Sequence, residues 1–154
     1  MALDTAMRFL GHRPRSEQEV RRRLAREAVA DQVVEAVLAQ LRRWQLVDDA
    51  AFASYWLEQR RTFRPRGPRL LRAELHRRGV SAELVAAALE QAAASADEDA
   101  SRVAAQWARR LAAQALDERT FCSRLAQRLA RRGFDWDTIS PLVERLWRAT
   151  RPAA

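Results

Sequence analysis

The feature that most constrains this chain is a unit that recurs three times along it. Arg13-Pro14-Arg15 is echoed at Arg64-Pro65-Arg66. At an offset of 51 residues, Val20 falls on Leu71, Leu24 on Leu75, Val29 on Val80, Val33-Val34 on Leu84-Val85 and Leu38 on Leu89. The register continues with Asp48 on Asp99, Phe52 on Val103 and Trp56 on Trp107. A third copy follows at an offset of 54, where Leu75 matches Leu129, Val85 matches Ile139 and Leu89 matches Val143. In the same register Arg77-Arg78-Gly79-Val80 matches Arg131-Arg132-Gly133-Phe134. A unit this short hides little apolar surface by itself, so neighbouring units must stack.

Within each unit the apolar spacing is helical. Val33, Val34, Val37, Leu38, Leu41 and Trp44 form one broad face at 3.6-residue periodicity, and no run alternates with period two. Ser16 with Glu19 three residues on is a capping-box pattern. Gly67-Pro68 places a tolerated N-cap before a first-turn proline, and Ser81 and Asp135 mark two further starts. Gly79 and Gly133 follow Arg77-Arg78 and Arg131-Arg132, the pattern of a left-handed stop behind a cationic last turn. These signals predict helices at about 3–11, 16–28, 31–45, 49–63, 67–79, 81–95, 97–115, 119–132 and 136–149. The expected fold is all-α, an elongated, curved, solenoid-like array of three tandem three-helix repeats at 1–46, 47–95 and 96–150, with a flexible tail at 151–154.

Composition narrows the class. The chain has 154 residues with 48% hydrophobic and 31% charged, which is globular, and its nine Gly and Pro leave few turns for an all-β fold. No stretch approaches the roughly 18 apolar residues of a membrane span, and the start of the chain lacks the apolar block of a secretory signal. The single Cys122 excludes an internal disulfide and a cysteine-rich zinc site, which points to a reducing, cytoplasmic setting. We expect a monomer without a cofactor.

Charge carries the functional signal. Formal net charge is +8, and all 28 cations are arginine. Residues 1–50 hold nine Arg against eight acids, residues 51–95 eight against four, and residues 96–154 eleven against eight. Between Arg60 and Arg78 there are eight arginines and one acid, Glu74. A field of one sign meets a polyanion or an acidic protein surface, and arginine suits planar contacts with phosphate or carboxylate. Arg69, Arg72 and His76 lie within about 60° of one another at about 100° per residue, facing away from Leu71 and Leu75. The arginines at 21–26 have Glu17, Glu19 and Glu27 nearby and fit a solvated, ion-paired face equally well.

No catalytic constellation is present. His12 and His76 lack a metal-ligand partner at helical spacing and fit surface or structural roles. Asp48-Asp49 reads as a helix cap, and Asp97-Glu98-Asp99 as the first turn of the seventh helix. With four glycines there is no phosphate-cradling loop. Cys122 fits a small buried hydrophobe. Trp44, Trp56 and Trp107 are read as core residues rather than base-stacking platforms and Trp147 as core or an end-cap, whereas Trp136 and Phe134 flank a turn.

An ordered set of residues resembles the RecX family of bacterial recombination regulators. It runs from Ala6-Met7-Arg8-Phe9-Leu10 through Arg13-Pro14-Arg15-Ser16 with Glu19 and Leu24, then Leu46-Val47-Asp48-Asp49 with Phe52-Ala53. It continues through Arg69-Leu70-Leu71-Arg72-Ala73-Glu74-Leu75 to Arg78-Gly79-Val80, and ends with Leu125, Arg131-Arg132-Gly133-Phe134 and Ile139. One departure is Ala28, where the family pattern has glycine; alanine argues against a left-handed stop there and leaves a tighter turn or a longer helix. The resemblance implies a non-enzymatic negative regulator that binds the RecA–single-stranded DNA filament and inhibits its ATPase, strand exchange and filament extension in DNA repair. The implied partners are RecA and the DNA within its filament, with free DNA bound weakly. On electrostatic grounds the expected contacts are Arg60, Arg61, Arg64, Arg66, Arg69 and Arg72, followed by Arg77, Arg78, Arg131, Arg132, Arg13 and Arg15. The alternatives are a basic nucleic-acid-binding protein acting without a recombinase, and a helical scaffold for an acidic protein.

Overall fold

A computed structural model describes residues 1–151, and within them the chain is nine α-helices without a strand. The tail expected at 151–154 falls outside the described residues from 152 on. The helices are α1 (Ala2–His12), α2 (Glu17–Arg26), α3 (Asp31–Arg43), α4 (Asp49–Phe63), α5 (Pro68–Arg77), α6 (Ala82–Gln91), α7 (Ala93–Ala112), α8 (Glu118–Arg131) and α9 (Trp136–Ala149). None of them is long and apolar enough to cross a membrane.

Local chemistry accounts for most of the ends. Ser16 and Glu19 close a reciprocal capping box on α2. Asp48 and Ser81 accept the amides of Ala51 and Leu84, and Asp117 caps α8 through Thr120. Asp135 occupies the N-cap of α9, but its side chain makes no capping bond. Gly79 and Gly133 are left-handed, with φ of 82° and 89°. Ala28 also takes a left-handed φ of 55°, so the stop after α2 is made with alanine rather than lost.

Two further expectations change. The acidic run Asp97-Glu98-Asp99 lies inside α7, not in its first turn, because the alanine-rich segment from Ala92 to Ala96 carries the helix back to Ala93. Trp44 is 49% exposed rather than core. Here α3 ends at Arg43 and the chain turns away through a left-handed Gln45, so the apolar stripe stops short of Trp44.

The chain clusters into two compact units that cut across the sequence repeats. One comprises Met1–Glu58 and Ala73–Ala88, and the other Gln59–Arg72 and everything from Leu89 on. In the first unit, α1, α2 and α3 close over Ala6, Val20, Leu24, Val34, Val37, Leu38, Leu41 and Val47. In the second, α7, α8 and α9 bury Val103, Leu111, Phe121, Leu125, Leu129, Phe134, Ile139, Leu142 and Val143. Ala100, Ala104 and Ala108, spaced by four on α7, are buried in that core, and their small side chains let the backbones approach closely.

Each unit also contains one junction between successive repeats. In the first, the Ser16 hydroxyl donates to the Arg78 carbonyl at 2.5 Å and Arg22 donates to the Arg77 carbonyl at 3.0 Å. In the second, the Gly67 amide donates to the Arg132 carbonyl at 2.7 Å, and the Arg69 amide to the Gly133 carbonyl at 3.2 Å. The carbonyls left over at a helix C-terminus are thereby satisfied by the N-terminal end of a helix from the preceding repeat. A Cβ at Gly67 would overlap the backbone of Gly133, so glycine is there for close approach and not only for capping.

Candidate functional site

The repeat junctions sort the twelve predicted arginines into two groups. In the first unit they are largely structural. Glu19, whose side chain is 12% exposed, takes Arg13 at 2.8 Å and Arg78 at 2.6 Å on the same oxygen. The Arg78 guanidinium also lies 3.7 Å over the Trp56 ring, and the Trp56 indole donates to the buried Glu74 at 2.8 Å. Arg15 sits 3.9 Å over Phe9 and donates to the Phe9 carbonyl. Burial, followed by repulsion from Arg13, lowers its pKa from the ordinary guanidinium value. Arg77 is exposed, and its Nε approaches the Ala73 carbonyl at 3.4 Å.

In the second unit the arginines gather around a cleft of about 790 Å³. Arg64, Arg66, Arg102, Arg131 and Arg132 line it with Phe63, Pro65, Leu70 and Val103, and no acidic residue does. The connection from α4 to α5 supplies one wall, the end of α8 another, and one face of α7 the third. Arg64 and Arg131 are exposed, and their guanidiniums hold no hydrogen bond or ion pair among the described residues. Arg132 is half-buried and donates to the Pro65 carbonyl at 3.3 Å. Behind the cleft, Asp99 is nearly buried and pairs with Arg102 at 2.7 Å and Arg61 at 3.5 Å, while Arg61 also reaches Glu98 at 3.1 Å. Arg131 is shared with a smaller depression of about 250 Å³ that contains Arg124 and Arg128.

The other predicted residues lie outside this cleft. Arg69 is exposed but donates to the Ala130 carbonyl at 2.8 Å, so it also ties α5 to α8. Arg72 and His76 are exposed on α5. Arg60 has a partner within the fold and does not line the cleft. Sequence reasoning missed Arg102 and Phe63. Arg102 stood in the shadow of the acidic run beside it, though its i,i+3 spacing from Asp99 was a signal. Phe63 sits inside Arg60-Arg61-Thr62-Phe63-Arg64, an aromatic interleaved with cations, and is 74% exposed.

The tryptophans divide in a related way. Trp56 and Trp107 are half-buried, with arginines over their rings; Arg128 lies 3.8 Å and Arg110 4.8 Å from the centre of Trp107. Trp147 packs on Phe121 in the third-repeat core. Trp136 is exposed and Phe134 buried. Cys122 is half-buried against the same core, and burial raises its thiol pKa. Among the described residues no group of His, Cys, Asp and Glu could hold a metal ion.

Tandem helical triplets, with arginines lining a cleft in the second unit, define a helical-repeat protein. Family models for the first, second and third three-helix domains of RecX match residues 2–41, 48–89 and 97–143. The chain therefore belongs to the RecX family. It is 30% identical over 145 residues to the regulatory protein RecX of Prosthecochloris aestuarii, covering 94% of this chain and 93% of that protein. It is 35% identical to that of Mycobacterium avium, over 89% of this chain and 79% of that protein. The relative from Geobacillus thermodenitrificans is 37% identical, but the chain spans only 51% of its length. The crystal structure of RecX from Lactobacillus salivarius superposes with a TM-score of 0.87 at 19% identity, covering 96% of this chain and 95% of that one.

Proposed function

We propose that this chain is a non-enzymatic negative regulator of the RecA recombinase. It binds the RecA–single-stranded DNA filament and inhibits ATP hydrolysis, strand exchange and filament extension. Family membership supports RecA as the partner, and the arginine-lined cleft of the second unit is the observation that carries the mode of action. Five guanidiniums around one concavity with no acid in its lining attract an anion, and contacts spread over several repeats add through effective concentration. Arg64, Arg66, Arg131 and Arg132 are the main contacts, with Arg69 and Arg72 beside them on α5. Arg13, Arg15 and Arg78 hold the first unit together.

The test is the single-stranded-DNA-dependent ATPase of RecA from the same source, titrated with this protein at fixed moderate salt. Inhibition well below one molecule per RecA supports a filament regulator that blocks growth. Inhibition only at amounts that coat the DNA moves the nucleic-acid-binding reading ahead of it. No inhibition at any ratio, with helicity intact, removes the RecA reading.

A further inference from the structure

We propose that a cleft of about 470 Å³ in the first unit docks a segment of a partner protein that carries a large apolar side chain beside a carboxylate. The apolar side chain packs on Leu10, Leu46 and Tyr55, and the carboxylate pairs with Arg15. This rests on the RecA reading for the protein that supplies the segment. It adds a contact surface in the other unit, with a chemistry unlike that of the arginine-lined cleft.

Three departures from what the fold alone favours meet at this cleft. Gly11 lies in the last turn of α1 with ordinary helical backbone, where alanine is the better helix former. A Cβ there would meet nothing within 4 Å, so no packing inside the chain requires glycine. Leu46 also lines the cleft and is 43% exposed, although Phe52 beside it in the lining is buried. Gln45, next in the chain to Leu46, takes a left-handed φ of 55° without being glycine, and the turn it makes leaves both Leu46 and Trp44 uncovered. A glycine without an internal reason, a strained turn and an uncovered leucine each cost stability. A partner that approaches the glycine closely and covers the leucine gives all three a use.

Charge selects the occupant. Arg13 and Arg78 both bond Glu19 and share its negative charge. Arg15, anchored over Phe9, spends its Nε on the Phe9 carbonyl at 3.3 Å, and its two Nη atoms hold no hydrogen bond or ion pair among the described residues. It is partly desolvated and lies in the field of Arg13 and Arg78, so an incoming carboxylate finds an unspent fork of donors and relieves repulsion. Asp48, the acid in the lining, already accepts the Ala51 amide at the start of α4. One guanidinium with unused Nη donors beside Leu10, Pro14, Leu46 and Ala51 offers no row of cations for successive phosphates, which disfavours a polynucleotide here. The net charge of +8 opposes a second copy of this chain. Leucine, isoleucine or phenylalanine next to aspartate or glutamate in a protein segment satisfies both the apolar wall and Arg15.

The experiment measures binding of the full chain to filaments of RecA from the same source on single-stranded DNA, by co-sedimentation, and to bare oligothymidylate, by fluorescence anisotropy. Gly11→Leu puts a side chain into the cleft and should weaken filament binding about tenfold or more, while raising the melting temperature because leucine is the better helix former. Leu46→Gln removes the apolar contact and should weaken filament binding about tenfold. Arg15→Gln removes the charged donors and should do the same. All three should bind oligothymidylate as the wild type does. Gly11 and Leu46 lie outside the buried core, so their variants decide the matter if Arg15→Gln loses stability. Wild-type filament affinity in Gly11→Leu or Leu46→Gln overturns the proposal, and so does an equal loss of oligothymidylate binding, which would make nucleic acid the occupant. The RecA ATPase assay keeps the two readings apart. Inhibition by both variants at wild-type strength discards this site alone, whereas a wild type that neither binds nor inhibits RecA discards the RecA reading and this site with it.

Discussion

The Gly67 amide donates to the Arg132 carbonyl at 2.7 Å, and the Ser16 hydroxyl donates to the Arg78 carbonyl at 2.5 Å. Gly67 is Ser16 displaced by 51 residues, and Arg132 is Arg78 displaced by 54. One repeat-to-repeat junction is thus built twice with different donors. In the first, a side chain spans the gap between backbones. In the second the backbones themselves meet, and no side chain fits between them.

Gly67→Ala should therefore destabilise the second unit by about 1–3 kcal/mol or more, as overpacking of a close contact does. Ser16→Gly, at the equivalent position, should instead lose one hydrogen bond and half of a capping box, about 1 kcal/mol. Urea denaturation followed by far-ultraviolet circular dichroism measures both. Equal, small losses would mean that the second junction has more slack than its geometry indicates.

Ala28→Gly should stabilise the chain by about 1 kcal/mol, because alanine is held at a φ of 55° that glycine adopts without a Cβ penalty. The reverse change at the repeat-equivalent Gly79 should destabilise by more than strain alone, since a Cβ there would also overlap the Gln18 side chain. Thermal melting of the two variants should move in opposite directions.

Glu19 and Asp49 should shape the acid limb of stability with opposite signs. Burial raises the Glu19 pKa, but hydrogen bonds from Arg13 and the Ser16 amide, with the charges of Arg13 and Arg78, outweigh it and the net shift is downward. A lowered folded pKa gives stability that is present above the unfolded value near 4.5 and is lost as pH falls through the folded pKa. Burial, backed by the charges of Glu17 and Asp48, pushes Asp49 upward, so its ionisation opposes folding at neutral pH. Glu19→Gln should flatten the acid loss and lower stability at neutral pH. Asp49→Asn keeps an acceptor for the Glu17 amide and should leave neutral-pH stability equal or higher. Urea midpoints across pH check both.

Charge reversal should separate structural from recognising arginines. Arg78→Glu strands Glu19 beside a like charge and removes the cation over Trp56, so it should cost about 3 kcal/mol or more and reduce helicity. Arg64→Glu with Arg131→Glu should leave helicity unchanged and abolish salt-sensitive binding to the RecA filament. Circular dichroism and filament pelleting on the same preparations decide it.

Local signals foretold most of the architecture. The capping box at Ser16, the glycine stops at Gly79 and Gly133 and the apolar spacing of α3 depend on contacts within about one or two helical turns, so they can be read in one dimension. The misreadings have local causes of the same kind. The alanine-rich segment from Ala92 to Ala96 moved the break before α7 back to Ala92, and the end of α3 at Arg43 left Trp44 outside the core.

The sequence by itself determined that this chain is a threefold helical repeat with an excess of arginine concentrated in its middle. Only the tertiary structure decided which arginines are available. Arg78 and Arg132 are repeat-equivalent, each standing just past a basic helix and immediately before a left-handed glycine. Arg78 is held by Glu19, 59 residues away, whereas Arg132 donates to the Pro65 carbonyl and lines an open cleft. Helix formation rewards spacings of three and four residues, whereas charge pairing rewards proximity in space, and only the folded chain defines that proximity.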